Sequence, residues 1–275
     1  RFVQKYLDAG MDEGQARYAS MVEGVDKSLG DLLDFLEDKG VADDTIIIFM
    51  TDNGGNAENK AKGGVRFMHN LPLRNGKGSV YEGGIRVPLM VKWSGKVAPD
   101  TRVNTPVICE DLFPTILGMA GIKSVDVVQE VDGKSLVNLV TKGSQLAAKA
   151  ARKGEIANQR EANTFVVPES VSGIDPERAL VFHYPHQWKP YDLVDIDYLS
   201  AVRKGDWKLV YRMRTGALEL YNLKEDIGEQ NNVAAQNPAK VKELAAELST
   251  RLREWNSPMP KLRATGKNIP LPDQL

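Results

Sequence analysis

The sequence predicts an α/β domain followed by a smaller α+β module. Three observations lead to this prediction: an amphipathic helix that passes through a turn into an apolar strand, a long glycine-rich loop after that strand, and a C-terminal run of strands closed by one helix. Helix, turn and buried strand in this order are typical of layered α/β architectures. A meander of antiparallel strands covered by one helix is typical of a small α+β unit.

The α/β part is predicted from its helices and strands. Apolar residues recur at helical spacing over 12–39, and Gly40 provides a stop. The segment 45–50 is apolar without interruption, so we expect a central strand that is covered on both faces. Further strands are predicted over 88–93 and 107–109, and a helix over 111–119 with Asp111 as its N-cap.

The C-terminal module is predicted as a sheet with one packed helix. Strands are predicted over 179–183, Leu199–Lys204, Trp207–Arg212 and 218–222, and an amphipathic helix over 237–255. The residues before this module are weakly patterned. We therefore divide the chain into an α/β part over 1–125, a connector over 126–178 and the α+β module over 179–275.

Composition argues against several classes of function. The 275 residues include 36 basic and 37 acidic side chains, so the net charge is −1. No overall field would draw the chain to nucleic acid, and its basic residues are spread out, so no nucleic-acid partner is expected. The apolar runs are strand-sized, and no membrane span is expected. Cys109 is the single cysteine, which excludes an internal disulfide, and we expect it to be buried and structural.

Two oxygen-bearing side chains follow the predicted strand directly. Asp52 and Asn53 come after Thr51 and precede two glycines. Carboxylate and amide oxygens at a strand end suit a hard divalent cation, Ca²⁺ or Mg²⁺. The alternative is a plain turn, because Asp-Asn-Gly-Gly is also good turn chemistry.

A lysine lies in the glycine-rich loop that follows. Lys77 stands between two glycines, and a Glu-Gly-Gly sequence begins at Glu82. A lysine in a loop of bare backbone suits a tetrahedral oxyanion, such as a sulfate or phosphate group. The alternative is an ordinary solvated lysine. Arg74 and Arg86 are further candidate anion ligands, although we expect Arg86 to have a structural role, paired with a carboxylate such as Glu82.

Aromatic and imidazole side chains form a third group of candidates. His69 lies in the same glycine-rich loop. His183 ends the predicted strand 179–183, and His186 and Trp188 come just after it. Such a group could line a sugar or aryl pocket. The alternative for each histidine is a structural residue satisfied within its loop. No nucleophile is evident, because the chain has no Gly-x-Ser-x-Gly elbow.

These motifs together resemble a known family, the formylglycine-dependent sulfatases of the alkaline-phosphatase-like superfamily. The resemblance is to the C-terminal part of the family's α/β sandwich and to its small C-terminal subdomain. The matching segments occur in the family order and cover most of the chain. They are 18–36, 51–54, 73–88, 111–117, and the pair 201–209 and 219–223.

The resemblance implies a mechanism and a set of roles. Asp52 and Asn53 would be ligands of Ca²⁺ or Mg²⁺, and Lys77 would bind the sulfate and its bridging oxygen. The family nucleophile is a formylglycine hydrate made from a cysteine or serine in a Cys/Ser-x-Pro/Ala-x-Arg motif. Cys109 is followed by Glu-Asp-Leu-Phe, which is not that motif. The formylglycine and the remaining ligands are therefore expected N-terminal of Arg1, and this chain alone is expected to be inactive.

The resemblance also suggests partners and a location. The substrate would be a sulfated carbohydrate or an aryl sulfate, and the compartment periplasmic, lysosomal or extracellular. A missing N-terminal segment or a second copy would cover an incomplete sheet. Two alternatives remain: a phosphodiesterase, phosphonate hydrolase or phosphoglycerol transferase of the same superfamily, or a non-catalytic domain that keeps the fold.

Overall fold

The structure is a computed structural model, and it describes residues 2–56, 69–122, 124–156, 165–187 and 195–275. It begins with two helices, α1 (Val3–Asp8) and α2 (Glu13–Asp38). The carboxylate of Asp12 accepts hydrogen bonds from the amides of Gly14 and Gln15, at 2.9 and 3.1 Å, and so caps the start of α2. The predicted long helix is confirmed.

The first sheet has two antiparallel strands, β1 (Ile47–Met50) and β2 (Leu89–Lys92), with Met50 opposite Leu89. The short helix α3 (Glu82–Ile85) lies between them in sequence. Both strands were predicted. The expectation that β1 is covered on both faces is not met within the described residues, because β1 pairs with β2 alone and all four of its residues are partly exposed.

The segment before helix α4 (Leu112–Met119) differs from its prediction. No strand forms over 107–109, because Cys109–Asp111 makes a 3₁₀ turn instead. The side chain of Cys109 is exposed, so the expectation of a buried cysteine is wrong.

Asp111 does not cap α4 with its side chain. Its fully buried carboxylate accepts hydrogen bonds from the amides of Ile108 and Lys134, at 3.0 and 2.8 Å, and pairs with the guanidinium of Arg178. Asp111 therefore closes the turn that precedes α4 and ties it to residues far along the chain. A local N-cap pattern could not reveal this, because two of the partners are remote in sequence.

The predicted connector contains helices and a small core. A π-helical turn (Leu139–Gly143) leads into α5 (Ser144–Arg152), and α6 (Glu169–Ser172) follows. Leu136, Leu139, Val167 and Ile174 form a buried apolar cluster there. The division of the chain at 125 and 178 stays a prediction.

The second sheet has four antiparallel strands in sequence order, and helix α7 (Pro238–Glu254) packs on one face. Each element was predicted to within one residue. The strands are β3 (Leu180–Tyr184), β4 (Leu199–Lys204), β5 (Trp207–Arg212) and β6 (Ala217–Asn222). Because side chains alternate along a strand, the sheet has two distinct faces.

The two faces of this sheet pack against different partners. Val202, Leu209 and Leu220 pack against Leu244 and Leu248 of α7 in one buried cluster. On the other face, Ala201, Val210 and Tyr221 pack against Val80 and Tyr81, which follow Lys77 in the glycine-rich loop. The α+β module thus supports the loop that carries the candidate lysine.

Within the described ranges, no helix combines the length and the apolar character that crossing a membrane would require.

Candidate active site

Close backbone contacts bring the Asp52–Asn53 segment to the part of the glycine-rich loop around Lys77, residues 74–81, which we call the lysine loop. The amide of Gly54 donates to the carbonyl of Gly84 at 2.9 Å, and the amide of Lys77 donates to the carbonyl of Gly55 at 3.0 Å. A Cβ atom at Gly54 would lie 1.7 Å from the carbonyl oxygen of Gly83. Any larger residue at position 54 would overlap the Gly83 carbonyl, so this position requires glycine.

The glycines of the Glu-Gly-Gly sequence also permit close contact between backbone segments. A Cβ atom at Gly83 would lie 2.4 Å from the carbonyl oxygen of Arg74, and one at Gly84 would lie 2.2 Å from that of Ser79. The amide of Gly83 also donates to the Arg74 carbonyl at 2.8 Å. The lysine loop thus folds directly onto the backbone of α3.

Asn70 holds the two loops together, and the sequence reasoning missed it. Its amide nitrogen donates to the carbonyls of Gly55 and Asn75, both at 2.8 Å, and its amide oxygen accepts from the Gly55 backbone amide at 3.0 Å. A single asparagine in a polar loop carries no pattern that would identify it in advance.

Asp52, Asn53 and Lys77 line the same cleft. Asp52 is exposed, and Asn53 is half-buried with its amide nitrogen donating to the Gly54 carbonyl at 2.8 Å. One carboxylate and one amide oxygen are hard donors that fit Ca²⁺ or Mg²⁺. They supply only part of a coordination shell, and the described residues contain no group of three or more His, Cys, Asp or Glu side chains that could hold a metal.

A buried ion cluster lies behind the lysine loop. The ammonium of Lys208, on β5, lies 2.9 Å from Glu82 Oε1 and 2.8 Å from Glu229 Oε1, and all three side chains are at most 1% exposed. Arg86 Nε donates to Glu82 Oε2 at 2.6 Å, so the structural role expected for Arg86 is confirmed.

The two carboxyl groups of this cluster respond differently to it. Burial would raise the pKa of Glu82, but the charges of Lys208 and Arg86 outweigh burial and hold the pKa below its usual value. Burial dominates at Glu229 and raises its pKa. Glu82 is therefore the anion on which the surrounding cations converge.

Arg74 is engaged within the fold. Its guanidinium pairs with the carboxylate of Asp195 at 2.6 Å, donates to the Tyr221 hydroxyl at 2.8 Å, and lies 3.9 Å from the ring centroid of Tyr81. These contacts support a structural role. The anion-binding role suggested for Arg74 stays a prediction, and it would compete with the Asp195 ion pair.

The histidines differ in their surroundings, and His183 lines the same cleft as Asp52, Asn53 and Lys77. His69 stacks on Tyr18 with ring centroids 3.8 Å apart, and burial lowers its pKa. The exposed His186 lies 4.1 Å from the ring centroid of Tyr184, at the end of β3. Trp188 lies outside the described residues. A shared sugar or aryl pocket for these residues stays a prediction.

Both ring nitrogens of His183 have partners. Nδ1 lies 2.6 Å from the Ser200 hydroxyl, and Nε2 lies 2.8 Å from the carbonyl of Pro258. Because a carbonyl only accepts, Nε2 carries the proton and a neutral ring satisfies both contacts. Burial lowers the pKa of His183. The contacts favour the structural alternative for this residue.

Comparison with family models identifies the family of this chain. The model described as "Sulfatase" matches residues 3–122, and the model described as "N-sulphoglucosamine sulphohydrolase, C-terminal" matches residues 75–198. The chain belongs to the sulfatase family. The two matched ranges overlap over the lysine loop, and together they include Asp52, Asn53 and Lys77.

Individual sulfatases resemble this chain, some along most of its length and others along about half of it. A sulfatase of Formosa agariphila is 33% identical over 258 residues, which are 88% of this chain and 39% of the relative. The steryl-sulfatase of Rattus norvegicus is 34% identical over 124 residues, 45% of this chain and 21% of the relative. The chain spans about two fifths of the curated relatives that match it along most of its length.

Solved sulfatase structures share the fold. The crystal structure of Ps i-CgsB in complex with k-i-k-neocarrahexaose is 26% identical with a TM-score of 0.60, and the match covers 90% of this chain and 44% of that one. The predicted α/β class and the predicted family are confirmed.

We expect Gly54→Ala to separate the metal-ligand candidates from the lysine loop. The added methyl group would overlap the Gly83 carbonyl, so the free energy of unfolding should fall by about 3 kcal/mol. Urea denaturation measures this change. Gly24→Ala on helix α2 is the matched control, because its added Cβ atom would meet nothing within 4 Å. This substitution should stabilise the chain by up to about 1 kcal/mol. Equal effects of the two substitutions would contradict the close-contact explanation.

The pKa of His183 predicts how stability depends on pH. Because this pKa is lowered in the folded state, the unfolded chain binds more protons as the pH falls below about 6.5. The His183 contribution is therefore complete above the unfolded pKa and decreases as the pH falls toward the folded pKa. His183→Gln should flatten the decrease of Tm between pH 7.5 and 5.5, measured by circular dichroism. His186→Gln is the comparison variant, and it should have a smaller effect that acts through its charge on His183. An unchanged slope in His183→Gln would refute the assignment.

Proposed function

We propose that this chain supplies the Asp52–Asn53 and Lys77 side of a site that hydrolyses sulfate esters. The observation that supports this most directly is the interlocking of Gly54 with Gly83 and Gly84, which brings an oxygen-ligand pair and a lysine to one cleft. In a sulfatase-family chain, this combination provides positive charge for an anionic substrate. We also propose that the whole protein hydrolyses sulfate esters.

Lys77 would act on the sulfate ester directly. Its ammonium would bind a sulfate oxygen and the bridging oxygen, where negative charge develops as the S–O bond breaks. The backbone amide of Lys77 is held by Gly55, so the base of the side chain has a defined position. A lysine whose backbone is held in this way would need less reorganisation during the reaction than one on a mobile loop.

Asp52 and Asn53 would hold a divalent cation, Ca²⁺ or Mg²⁺. When bound, the cation would reduce the negative charge that the sulfate presents to an incoming nucleophile. The carboxylate would contribute charge, and the half-buried amide would contribute a neutral oxygen whose orientation is set by the Gly54 carbonyl. Two protein ligands alone would bind calcium weakly.

The nucleophile is not assigned to Cys109. Partial desolvation and the neighbouring Glu110 both raise the pKa of this exposed thiol, which disfavours the thiolate. Its following residues also lack the formylglycine motif that the family resemblance implies. A formylglycine hydrate would have to come from other residues of the natural protein.

A sulfated carbohydrate is the substrate class that we favour, with an aryl sulfate as the alternative. The support is the similarity to Ps i-CgsB, whose structure contains a neocarrahexaose. A periplasmic, lysosomal or extracellular location rests on the family resemblance and belongs to the same proposal.

The apolar surface of α2 supports a covering partner. Met21, Val25 and Phe35 are 68%, 52% and 54% exposed, and they recur on the helix with Val22 and Leu32. An exposed apolar stripe of this kind is unfavourable in water. Further residues of a sulfatase domain or a second copy of the chain would cover it.

Lys77→Ala tests the proposed catalytic role. In the natural protein that contains this sequence, we expect kcat/KM for 4-nitrophenyl sulfate to fall by about 100-fold or more, because a cation at the leaving oxygen is lost. Release of 4-nitrophenol measures the rate. Lys142→Ala, which changes an exposed lysine of the π-helical turn, should leave the rate unchanged. Full activity in Lys77→Ala, or hydrolysis of the matching phosphate ester alone, would reject the sulfatase assignment.

Calcium titration tests the metal ligands. Ligands that bind the folded state raise Tm, so added Ca²⁺ should stabilise the chain with a dissociation constant of about 10⁻³ M or weaker when only two side chains coordinate it. EDTA should reverse the shift, and Asp52→Ala should abolish it. Asp44→Ala, at an exposed acid near β1, should respond to calcium like the wild type. An identical calcium response in Asp52→Ala would exclude Asp52 as a ligand.

A further inference from the structure

The lysine loop is held against the C-terminal sheet at both of its ends. Val80 and Tyr81 pack on the sheet face opposite α7. Tyr81 donates to Glu219 Oε2 on β6 at 2.5 Å, and Arg74 at the other end of the loop donates to the Tyr221 hydroxyl on β6 at 2.8 Å. Lys77 therefore lies between two attachment points on a sheet that supplies neither Lys77 nor the candidate metal ligands.

Lys208 makes the most deeply buried attachment. Its side chain is fully buried, and its ammonium lies within 2.9 Å of carboxylate oxygens from Glu82 and Glu229. Glu229 Oε2 in turn accepts a hydrogen bond from the backbone amide of Glu82 at 2.6 Å. Three segments that are distant in sequence therefore meet at one ammonium.

Two carboxylates and three cations contribute to this cluster. Lys208 and Arg86 both pair with Glu82, Lys208 also pairs with Glu229, and the charge of Arg203 acts on Glu82 as well. Removing the Lys208 ammonium would take away the cation that pairs with both carboxylates. Buried like charges without compensation are strongly unfavourable, so the start of α3 would have to move or take up a proton.

A short covalent path connects this cluster to the candidate site. Glu82 is followed by Gly83 and Gly84, which contact Gly54 beside the Asp52–Asn53 pair. The Gly83 amide also holds the Arg74 carbonyl at the beginning of the lysine loop. A displacement of Glu82 would therefore be passed on to both halves of the site.

We propose that Lys208 is a positioning residue, whose buried ammonium fixes the spacing between the Lys77 loop and the Asp52–Asn53 pair. The contacts of Lys208 are independent of the proposed function. The idea that the spacing serves catalysis rests on the proposed function. Lys208 does not contact the substrate in this proposal. It acts through Glu82 and the glycines that follow.

A double variant separates positioning from general stabilisation. Lys208→Met keeps the length of the side chain but leaves one carboxylate uncompensated, so it is expected to lower Tm. Lys208→Met combined with Glu229→Gln removes one charge of each sign and keeps the Glu82–Arg86 pair. The side-chain amide introduced by the second substitution can still accept from the Glu82 backbone amide. The control is Lys204→Met, because Lys204 is a partly exposed lysine on β4 whose ion-pair contacts are as long as 3.9 Å.

Hydrogen exchange is the first measurement. In the double variant we expect exchange at the Gly54 and Lys77 amides to increase by about tenfold, because their contacts depend on the position of α3. Amides of β4–β6 should change by less than about twofold. Three results would overturn the proposal: unchanged exchange at Gly54 and Lys77, a uniform increase across the sheet, or failure of the double variant to fold. Each of them would leave Lys208 with no specific effect on the site.

Kinetics is the second measurement, made on the natural protein with 4-nitrophenyl sulfate. The double variant should lose about tenfold or more in kcat with a smaller change in KM, because misplaced groups weaken transition-state contacts most. Wild-type kcat in a variant with increased exchange would overturn the positioning role. Absence of any hydrolysis by the wild type would instead contradict the proposed function, and the exchange result would still decide whether Lys208 fixes the loop.

Discussion

The ion pair between Lys208 and Glu82 is the interaction on which the rest of the structure depends. It joins residues 126 positions apart in sequence, one on the C-terminal sheet and one at the start of α3. Removing one partner of such a buried pair typically costs about 3–5 kcal/mol, because the remaining charge is left without compensation. The two parts of the chain are therefore coupled energetically, and the geometry of the lysine loop is a property of the whole chain.

Close packing of glycines is the second constraint. Gly54, Gly83 and Gly84 all have backbone oxygens of other residues where a Cβ atom would be. In the sequence the glycine-rich loop around Lys77 suggested bare backbone that suits an oxyanion. In the structure Gly54, Gly83 and Gly84 permit backbone-to-backbone contact, which makes the loop more defined. Glycines at these positions therefore make the loop more rigid. This role becomes visible only when the segments that pack against them are known.

Local pattern was sufficient to predict helix α2 and the elements of the C-terminal module. The periodicity of α2 and α7 and the alternation of β4–β6 depend on neighbouring residues, and these elements occur where they were predicted. The supports of the site depend on remote partners. Lys208 has the sequence context of an ordinary strand lysine, and nothing near Arg74 indicates its pairing with Asp195. The candidate ligands could be proposed from motifs, but the residues that hold them could not.

The alternation of β5 explains how one strand serves both stability and site geometry. Leu209 and Tyr211 face the core beneath α7, whereas Val210 belongs to the cluster beneath the lysine loop. Lys208 and Arg212 contact that loop from the second face, through Glu82 and the Tyr81 hydroxyl. A slip of one residue in register would exchange the two faces and place Lys208 in the apolar core. The packing of α7 therefore selects the register that delivers the buried ammonium to Glu82, and selection for a stable module also maintains the support of the candidate site.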